Sequence, residues 1–397
     1  MDLHSDLPFW TVRNGLIQTY PAMDQDLRCD ALVVGGGITG ALVAHSLVRS
    51  GVDCIVIDRR DKGQGSTSAS TALLQFEIDT PLYKLAAIHG MAAAERAYEL
   101  GIEAIAILKT LAGSDCAFQS RSSLLVARRQ ADIRNLRREF DLRHKARLPV
   151  SRLDDGDLKD EFGIPRPAAI HSSIAGECDP YRLTHRLLGR AHKRGLRVFD
   201  RTAAVSYAPH KSYVMVKTDR GCTVRARSII FASGYETQTI LPGNLVKLSS
   251  TYAFVSEPFL DLSWWKERAL IWETGESYLY SRTTSDDRIL VGGEDDGVIS
   301  GNRRDRQIPA KTKRLVSRFR TIYPHCKLEP AFSWAGTFGS TKDGLAYIGR
   351  HSQFPLGYFA LGFGGNGITY SVIAARILTN LFLGRKDVDA QLFRFDR

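Results

Sequence analysis

The sequence predicts an α/β protein that begins with a Rossmann-like unit. Residues 29–34 form a short apolar strand, and a glycine-rich turn and a helical run over residues 41–49 follow it. A second apolar strand over residues 53–57 ends in an acid. This order of strand, turn, helix and strand is typical of a parallel sheet covered by helices. The length of 397 residues indicates two or three compact units.

The composition excludes several classes of protein. With 44% hydrophobic and 24% charged residues, the chain is neither disordered nor fibrous. The longest apolar stretch, residues 368–383, is interrupted by Arg376, so we expect no transmembrane segment. The first 28 residues contain four Asp and no apolar core, so we expect no secretory signal. The six scattered cysteines show no metal-binding or disulfide pattern, which favours the cytoplasm and no bound metal.

The glycine-rich turn predicts a dinucleotide site. Gly35 permits a tight turn, Gly37 lets a pyrophosphate approach the backbone, and Gly40 lets the helix pack against the strand. The N–H groups at the start of the helix would then face the phosphates. Asp58, 18 residues after Gly40, would accept hydrogen bonds from both ribose hydroxyls and repel a 2′-phosphate, which disfavours NADP.

The loop over residues 63–72 consists of ten small or polar residues without a hydrophobic pattern. Such a loop suits a cofactor whose pyrophosphate and ribityl portions continue through the protein. A flexible surface linker has the same composition. The residues of this loop alone leave both interpretations open.

The glycines from Gly35 to Gly51, the acid at Asp58 and the G-S-T-S-A-S loop resemble the D-amino-acid oxidase superfamily, which includes glycine, sarcosine and γ-glutamylputrescine oxidases. Residues 178–234, which end in an Ala-Ser-Gly turn, and residues 334–369, which end in a second glycine-rich turn, are similar to later segments of that family. The resemblance spans roughly the whole chain and implies FAD as the cofactor.

The resemblance also implies a division into domains. An N-terminal extension over residues 1–28 precedes an FAD-binding domain assembled from three segments, residues 29–85, 172–245 and 331–397. A substrate domain built on an antiparallel sheet takes residues 86–171 and 246–330.

The family pattern assigns the cofactor contacts residue by residue. It implies that FAD is bound by Gly35, Gly37, Ile38, Thr39, Gly40, Asp58, Arg59, Ser66, Thr67, Ser68, Ala69, Val205, Ser233, Gly234, Asp343, Gly364, Gly365, Asn366, Gly367, Ile368 and Thr369.

The closing glycine-rich turn opens the last helix, which is expected to end at Gly384. The N-terminus of that helix would stabilise negative charge that develops near flavin N1 and the C2 carbonyl. Some family members tether FAD through a His or a Cys, and those positions hold Ala69 and Gly336 here, so we expect non-covalent FAD.

Three predicted strands of the substrate domain, residues 250–257, 276–283 and 288–293, carry the candidate catalytic residues Tyr252, Tyr280 and Arg282. Tyr280 and Arg282 share strand parity and therefore one face. If that face is toward the flavin, Arg282 would bind a substrate carboxylate bidentately and Tyr280 would orient the substrate. If it faces outward, both are solvated.

The resemblance implies that the protein oxidises the C–N bond of a small amino acid or amine to an imine, with hydride transfer to flavin N5. Oxidation of a 2-hydroxy acid is the alternative within enzymes. A flavin-binding protein that acts through a partner, for example in RNA modification, is the alternative outside that class. Leu290 aligns where sarcosine-oxidase-like members carry an oxygen-assisting lysine, which favours a quinone or a carrier protein over oxygen as electron acceptor.

The formal net charge of +11 is concentrated in two blocks. Residues 121–152 carry ten basic and three acidic side chains, and residues 301–320 carry eight and one. Either block is a solvated surface or a dock for an anionic partner, and steering by them would favour carboxylated substrates. No nucleic-acid-binding signature accompanies them, so we expect no DNA partner.

The first block contains a predicted amphipathic helix. Ile133, Leu136 and Phe140 recur at helical spacing and mark its apolar face. The basic side chains expected to face away from it are Arg134, Arg137, Arg138 and Arg143.

Overall fold

The computed structural model describes residues 1–5, 7–297 and 300–397, which form two β-sheets with helices packed on them. The helices of the described residues are α1 (Phe9–Asn14), α2 (Ile38–Arg49), α3 (Ser66–Ala69), α4 (Leu82–His89), α5 (Met91–Ala112), α6 (Ile133–Lys145), α7 (Asp155–Phe162), α8 (Pro180–His192), α9 (Gly301–Arg320) and α10 (Gly367–Phe382). The strands are β1 (Leu27–Val34), β2 (Cys54–Ile57), β3 (Leu73–Gln75), β4 (Gln119–Val126), β5 (Val150–Asp154), β6 (Ala168–Glu177), β7 (Arg197–Phe199), β8 (Ala204–Pro209), β9 (Val214–Thr218), β10 (Thr223–Phe231), β11 (Lys247–Ser256), β12 (Leu270–Glu273), β13 (Tyr280–Thr283), β14 (Ile289–Asp296), β15 (Pro330–Ser340), β16 (Tyr347–Arg350) and β17 (Gly357–Leu361).

The first sheet has the strand order β16-β17-β10-β1-β2-β7. Its central strands run parallel, β16 is antiparallel to β17, and β8 and β9 extend from β10 as an antiparallel meander. The strands come from three stretches of chain, residues 27–57, 197–231 and 347–361. This is the α/β architecture that the sequence predicts.

The central strands form because they are apolar on both faces. All four residues of β2 are buried, as are Ala31, Leu32 and Val33 of β1. Continuous burial of this kind is expected for parallel strands with layers on both sides. Helices α2, α8, α10 and α5 pack together over one face.

The second sheet has the order β15-β11-β14-β13-β12-β4-β6-β3, with β5 added on β6. It is antiparallel except between β4 and β12. Strands β3 and β15, together with most of β6, lie in stretches that the family resemblance placed in the FAD-binding domain, yet they hydrogen-bond in this sheet. Helix α9 packs on this sheet against strands β11, β14 and β15.

Several local predictions need correction. Arg143 does not face solvent on α6: it is fully buried, and its Nε donates to Glu139 at 2.7 Å. The loop over residues 63–72 contains a short helix, α3. The strand expected over residues 276–283 is regular only in β13. The predicted end of the last helix is confirmed, because α10 ends just before Gly384, which takes a positive φ of 70° as a helix-terminating glycine does.

The N-terminal segment crosses the gap between the two sheets. We call residues 1–5 together with α1 the N-terminal strap. His4 forms an isolated β-bridge with Gly336 of β15, and Trp10 of α1 is 1% exposed and donates from Nε1 to the Ser70 carbonyl at 2.6 Å. No helix in the described part of the chain is long and apolar enough to span a membrane.

Candidate active site

A cavity of about 410 Å³ lies between the two sheets. On one side it is lined by residues at the carboxyl ends of four parallel strands of the first sheet: Val34 and Gly35 at the end of β1, Asp58 after β2, the turn 232–234 after β10, and Leu361 to Gly365 at the end of β17. Ligands of open α/β sheets bind at these ends. The opposite wall comes from β11, β13 and β15 of the second sheet.

The N-terminus of α2 opens into the cavity through Gly37, Ile38 and Thr39. The Ile38 N–H donates to Thr67 Oγ1 at 3.0 Å, so α3 is held against this helix start. The hydroxyl of Ser66, which also lines the cavity, is buried and has no hydrogen-bond partner among the described residues. A buried hydroxyl without a partner beside a helix N-terminus fits a polar, anionic ligand group.

Two glycines of this turn are required by close backbone contacts. Gly35 has φ of 113°, and a Cβ there would overlap the carbonyl of Ala232 in the Ala-Ser-Gly turn. A Cβ on Gly40 would overlap the Gly35 carbonyl oxygen. Gly40 therefore acts through the packing of α2 on β1 and does not line the cavity.

Asp58 occupies the end of β2 with its carboxylate in the cavity wall. Its Oδ2 accepts from the Gly36 N–H at 2.6 Å and its Oδ1 from the Arg60 N–H at 2.8 Å. Arg59 and Arg60 line the same region and both pair with Glu236. This end of the cavity can accept hydrogen bonds from ribose hydroxyls.

A buried ion pair behind the turn was not predicted. Lys62 is fully buried, and its Nζ lies 3.2 Å from Asp200 and donates to the Phe199 carbonyl at 2.5 Å. Burial lowers the pKa of Lys62, while Asp58 and Asp200 act in the opposite direction. A Cβ on Gly36 would overlap the Lys62 side chain, so the turn rests directly on it. A single lysine in a polar loop does not indicate, from the sequence alone, that it will form a buried ion pair.

At the other end, Gly364, Gly365, Gly367 and Ile368 line the cavity where α10 begins. Asp79, a residue that sequence reasoning missed, holds this turn. Its Oδ2 accepts from the Gly365 N–H at 2.7 Å, and its Oδ1 accepts from the Tyr278 hydroxyl at 2.8 Å. Burial raises the pKa of Asp79.

The second sheet contributes Tyr280, Thr251, Ala253, Trp334 and Phe338 to the lining. The Tyr280 hydroxyl lies 3.2 Å from Thr251 Oγ1, and burial raises the pKa of Tyr280. Trp334 is fixed by a hydrogen bond from Nε1 to the Ala69 carbonyl at 2.9 Å. This wall is therefore largely apolar and carries the hydroxyls of Tyr280, Thr251 and Thr337.

Of the residues assigned to the cofactor, the structure brings a coherent group to the cavity: Gly35, Gly37, Ile38, Thr39, Asp58, Arg59, Ser66, Thr67, Ala69, Ser233, Gly234, Gly364, Gly365, Gly367 and Ile368. The remainder do not line it. Ser68 donates to the Gly65 carbonyl, Asn366 to the Glu77 carbonyl and Thr369 to the Asn366 carbonyl. Asp343 pairs with Arg397, and Val205 is exposed on β8.

Of the three candidate catalytic residues, Tyr280 alone lines the cavity. Arg282 is buried beyond it, where Nε donates to the Thr71 carbonyl at 2.7 Å and Nη2 to the Cys178 carbonyl at 3.0 Å. Its Nη1 lies 3.5 Å from Glu177. The guanidinium is thus engaged by the protein and has no free edge for a substrate carboxylate.

Two further assignments fall outside the cavity. Tyr252 is buried and donates to Asp296 at 3.2 Å. Leu290, aligned with an oxygen-assisting lysine, packs in an apolar cluster with Phe9, Trp10 and Trp334. The shared strand parity of Tyr280 and Arg282 correctly predicted that they lie on one face of the sheet. It could not show how far along that face the cavity extends.

Comparison with known proteins decides the family. The sequence model of the DAO family, described as FAD dependent oxidoreductase, matches residues 30–381. The chain belongs to the DAO family of FAD-dependent oxidoreductases. It is 25% identical to gamma-glutamylputrescine oxidoreductase of Escherichia coli (strain K12), over 94% of this chain and 87% of that protein. It is 23% identical to glycine oxidase of Bacillus subtilis (strain 168), over 93% and 97%.

The fold agrees with solved structures of the DAO family. Glycine oxidase from Geobacillus kaustophilus superposes with a TM-score of 0.78 at 19% identity, covering 91% of this chain and 96% of that one. The cofactor of this DAO-family enzyme is FAD. The observed features fit it: a helix N-terminus beside a buried unpaired hydroxyl, a carboxylate at a strand end, and a second glycine-rich helix start in one cavity.

The two positions considered for a covalent tether are adjacent in the cavity. A Cβ on Gly336 would lie 3.5 Å from the Cβ of Ala69, and both residues are in the lining. Among the described residues that line the cavity, none is Cys or His.

Proposed function

We propose that this enzyme oxidises the C–N bond of an amine or amino acid to an imine. The observation that carries the proposal is that one cavity joins the FAD-type turns of the first sheet to a wall of the second sheet bearing Thr251 and Tyr280. The named relatives, a gamma-glutamylputrescine oxidoreductase and a glycine oxidase, support a nitrogen compound as substrate.

The domain assignment belongs to this proposal. The first sheet and its helices would hold FAD, and the second sheet would form the substrate wall. Because β3, most of β6 and β15 pair in the second sheet, we place these strands with the substrate wall rather than in the segments 29–85, 172–245 and 331–397.

FAD, when bound, accepts two electrons and the hydrogen from carbon. The substrate loses that hydride and one proton from nitrogen, and water then converts the imine to a carbonyl compound and ammonia, or an amine where the substrate is a secondary amine. The protein has to hold the C–H bond in place and exclude bulk water. Trp334, Phe338 and Ala253 supply apolar surface for this, and the hydroxyls of Tyr280 and Thr251 can orient a polar group of the substrate.

The residues that would hold FAD are those of the three turns. The N-terminus of α2 and Ser66 would take the pyrophosphate, Asp58 the ribose, and the turn from Gly364 to Ile368 the flavin end, where the start of α10 favours negative charge. Attachment is proposed to be non-covalent. The six cysteines form no disulfide, which supports a reducing compartment such as the cytoplasm.

Anaerobic mixing of the purified yellow enzyme with amines, amino acids and 2-hydroxy acids tests the proposal. We expect at least one nitrogen compound to bleach the flavin absorbance, and later addition of oxygen or of a quinone to restore it. The faster of the two identifies the class of electron acceptor. Bleaching by 2-hydroxy acids alone would contradict C–N oxidation and establish the alternative substrate class.

A further inference from the structure

The corner between α4 and α5 exposes neighbouring apolar side chains. Its residues 85–94, which we call the apolar corner, include no Asp, Glu, Lys or Arg. Ile88 is 54% exposed and Met91 is 38% exposed, and Ala87 and Ala92 are exposed beside them in the chain. Scattered apolar side chains are normal on a protein surface, whereas exposed ones grouped in an uncharged stretch mark an interaction surface.

A groove of about 580 Å³ lies between the apolar corner and α6. One wall of the groove is largely apolar and the other is basic. The first wall is formed by Tyr83, Ala86, Ala87 and Met91, and the second by Arg134, Arg137, Arg138, Asp141 and Leu142. A ligand that fills this groove meets apolar surface and positive charge together.

The arginines of the groove carry charge that their surroundings do not neutralise. Arg134, Arg137 and Arg138 are exposed, and none of them forms an ion pair with the described residues. The Arg138 guanidinium lies 4.7 Å from the centroid of the Tyr83 ring, which connects α6 to α4. Asp141 is the acid of the lining, so three arginines stand against one carboxylate.

The positive charge continues along α6 beyond the groove. Arg128 and Arg129 precede the helix, Lys145 ends it and Arg147 follows it. All four side chains are exposed, and none forms an ion pair within the part of the chain that the structure describes. A row of cations is attracted more strongly to an extended anionic surface than to a single anion.

We propose that the groove and the apolar corner form a docking surface for a bilayer that contains anionic lipids. The phosphate headgroups would neutralise the arginines of α6, and Ile88 and Met91 would enter the boundary between headgroups and acyl chains. RNA would also neutralise the arginines, but it would leave these two apolar side chains in water. A bilayer uses both features of the surface.

This docking surface is separate from the cofactor cavity, because the residues that line the groove and the cavity do not overlap. The inference therefore goes beyond C–N oxidation and does not depend on it. Docking of this kind takes place on one leaflet and requires no membrane-spanning helix.

Co-sedimentation of the holoenzyme with vesicles tests the inference. Vesicles of phosphatidylcholine mixed with phosphatidylglycerol are compared with vesicles of phosphatidylcholine alone. We expect the Kd for the anionic vesicles to be at least tenfold lower and to rise with added salt. Equal binding to both vesicles, or binding to neither, would overturn the inference. Tight binding to RNA without binding to vesicles would assign the surface to RNA instead.

Inorganic phosphate distinguishes a lipid headgroup from a soluble phosphate compound. Added at constant ionic strength, it should leave the vesicle-bound fraction unchanged, because the bilayer presents many headgroups and an apolar interior at once. Displacement of the enzyme by inorganic phosphate would contradict docking on a bilayer.

A charge variant tests the basic wall. Arg134→Gln, Arg137→Gln should raise the Kd for anionic vesicles at least tenfold, with FAD content and the flavin spectrum unchanged. Lys313→Gln, Arg320→Gln is the matched control, because it removes the same charge from exposed positions of α9. An equal loss of binding in the control would mean that net charge, rather than this surface, attracts the bilayer.

An apolar variant tests the corner. Ile88→Ser, Met91→Ser should also raise the Kd for anionic vesicles at least tenfold, because it removes the two side chains that enter the bilayer. Ile107→Ser is the control, at a position of α5 that is 42% exposed and lies outside the corner. Vesicle binding by the Ile88→Ser, Met91→Ser enzyme that equals that of the control would remove the apolar corner from the docking surface and overturn the inference.

Discussion

The pKa of Asp295 depends on the balance between its burial and the charges of the neighbouring groups. Burial, together with the carboxylates of Asp79 and Asp296, raises its pKa to about 6, against the lowering effect of the Thr251 hydrogen bond and Lys311. Because the folded-state value is above the unfolded one, the folded protein binds the proton more tightly than the unfolded chain.

Asp295→Asn should change how stability depends on pH. The raised pKa gives the native state stability that is fully present below about pH 4 and lost as the pH rises through 6, worth about 3 kcal/mol at most. We expect the variant to lose this pH-dependent contribution to stability, so that its free energy of unfolding falls less than that of the parent between pH 4 and 7. Urea unfolding at both pH values measures it, and parallel curves for the two proteins would refute the assignment.

Among the elements, the turn between β1 and α2 depends on backbone contacts that tolerate no side chain. Gly35 lies against Ala232, Gly36 against Lys62 and Gly40 against Gly35. The turn, the loop that contains Lys62, and the end of β10 therefore form one tightly packed unit around the α2 N-terminus.

Gly40→Ala should disrupt this unit. The Cβ would overlap the Gly35 carbonyl, so α2 must move away from β1, and we expect loss of FAD binding together with a lower melting temperature. Gly189→Ala in α8 is the control, since the nearest atom to its Cβ is 3.7 Å away and alanine favours a helix by about 1 kcal/mol. Retention of FAD by Gly40→Ala would show that the close contact between Gly40 and the Gly35 carbonyl is not required for FAD binding.

The N-terminal strap is a second element that bears on the cofactor, although it precedes the part of the chain matched to the family. Leu3 lines the cavity, and its carbonyl accepts from the Thr337 N–H at 2.7 Å. Phe9 packs on Trp10 and Trp334 with ring centroids 5.0 and 6.4 Å away.

Trp10→Ala should loosen the strap. Removing this buried side chain is expected to cost about 3–5 kcal/mol of stability. We also expect faster release of FAD on dilution, followed by the recovery of flavin fluorescence, because Leu3 covers the cavity. Val12→Ala, at an exposed position of α1, should leave both quantities unchanged. An unchanged release rate in Trp10→Ala would mean that the strap does not retain the cofactor.

For the whole molecule, the net charge of +11 does not describe one positive surface. In the second basic block, Arg304, Lys311 and Arg318 of α9 pair with acids of this chain. In the first block, Arg143 is buried beside Glu139. Arg134 and Arg137 remain exposed, beside a surface groove that includes Tyr83.

We therefore expect only weak binding to RNA. At 0.15 M salt the Kd should be larger than about 1 μM, rise steeply with added salt, and rise further in an Arg134→Gln, Arg137→Gln variant. Fluorescence anisotropy with a labelled single strand measures this. Tight binding that survives 0.5 M salt, with no flavin reduction by any amine, would favour the alternative role as a partner in RNA modification.

The local sequence was sufficient to predict structure wherever the informative residues are neighbours in the chain. The glycine spacing, the apolar strands and Asp58 predicted the first α/β unit, and the family resemblance carried by three ordered segments implied FAD. Such features are predictable because backbone geometry and hydrogen bonding within a turn depend on adjacent residues.

Tertiary structure decided the rest, because charges interact through space. Arg282 has the right strand parity but is placed beside Thr71 and Cys178, which no spacing reveals. Asp79 is brought to Gly365 across 286 positions of chain, a contact that no local pattern indicates. The sequence by itself determined the cofactor and its fold, and the packing of the two sheets decided which charges face the cavity.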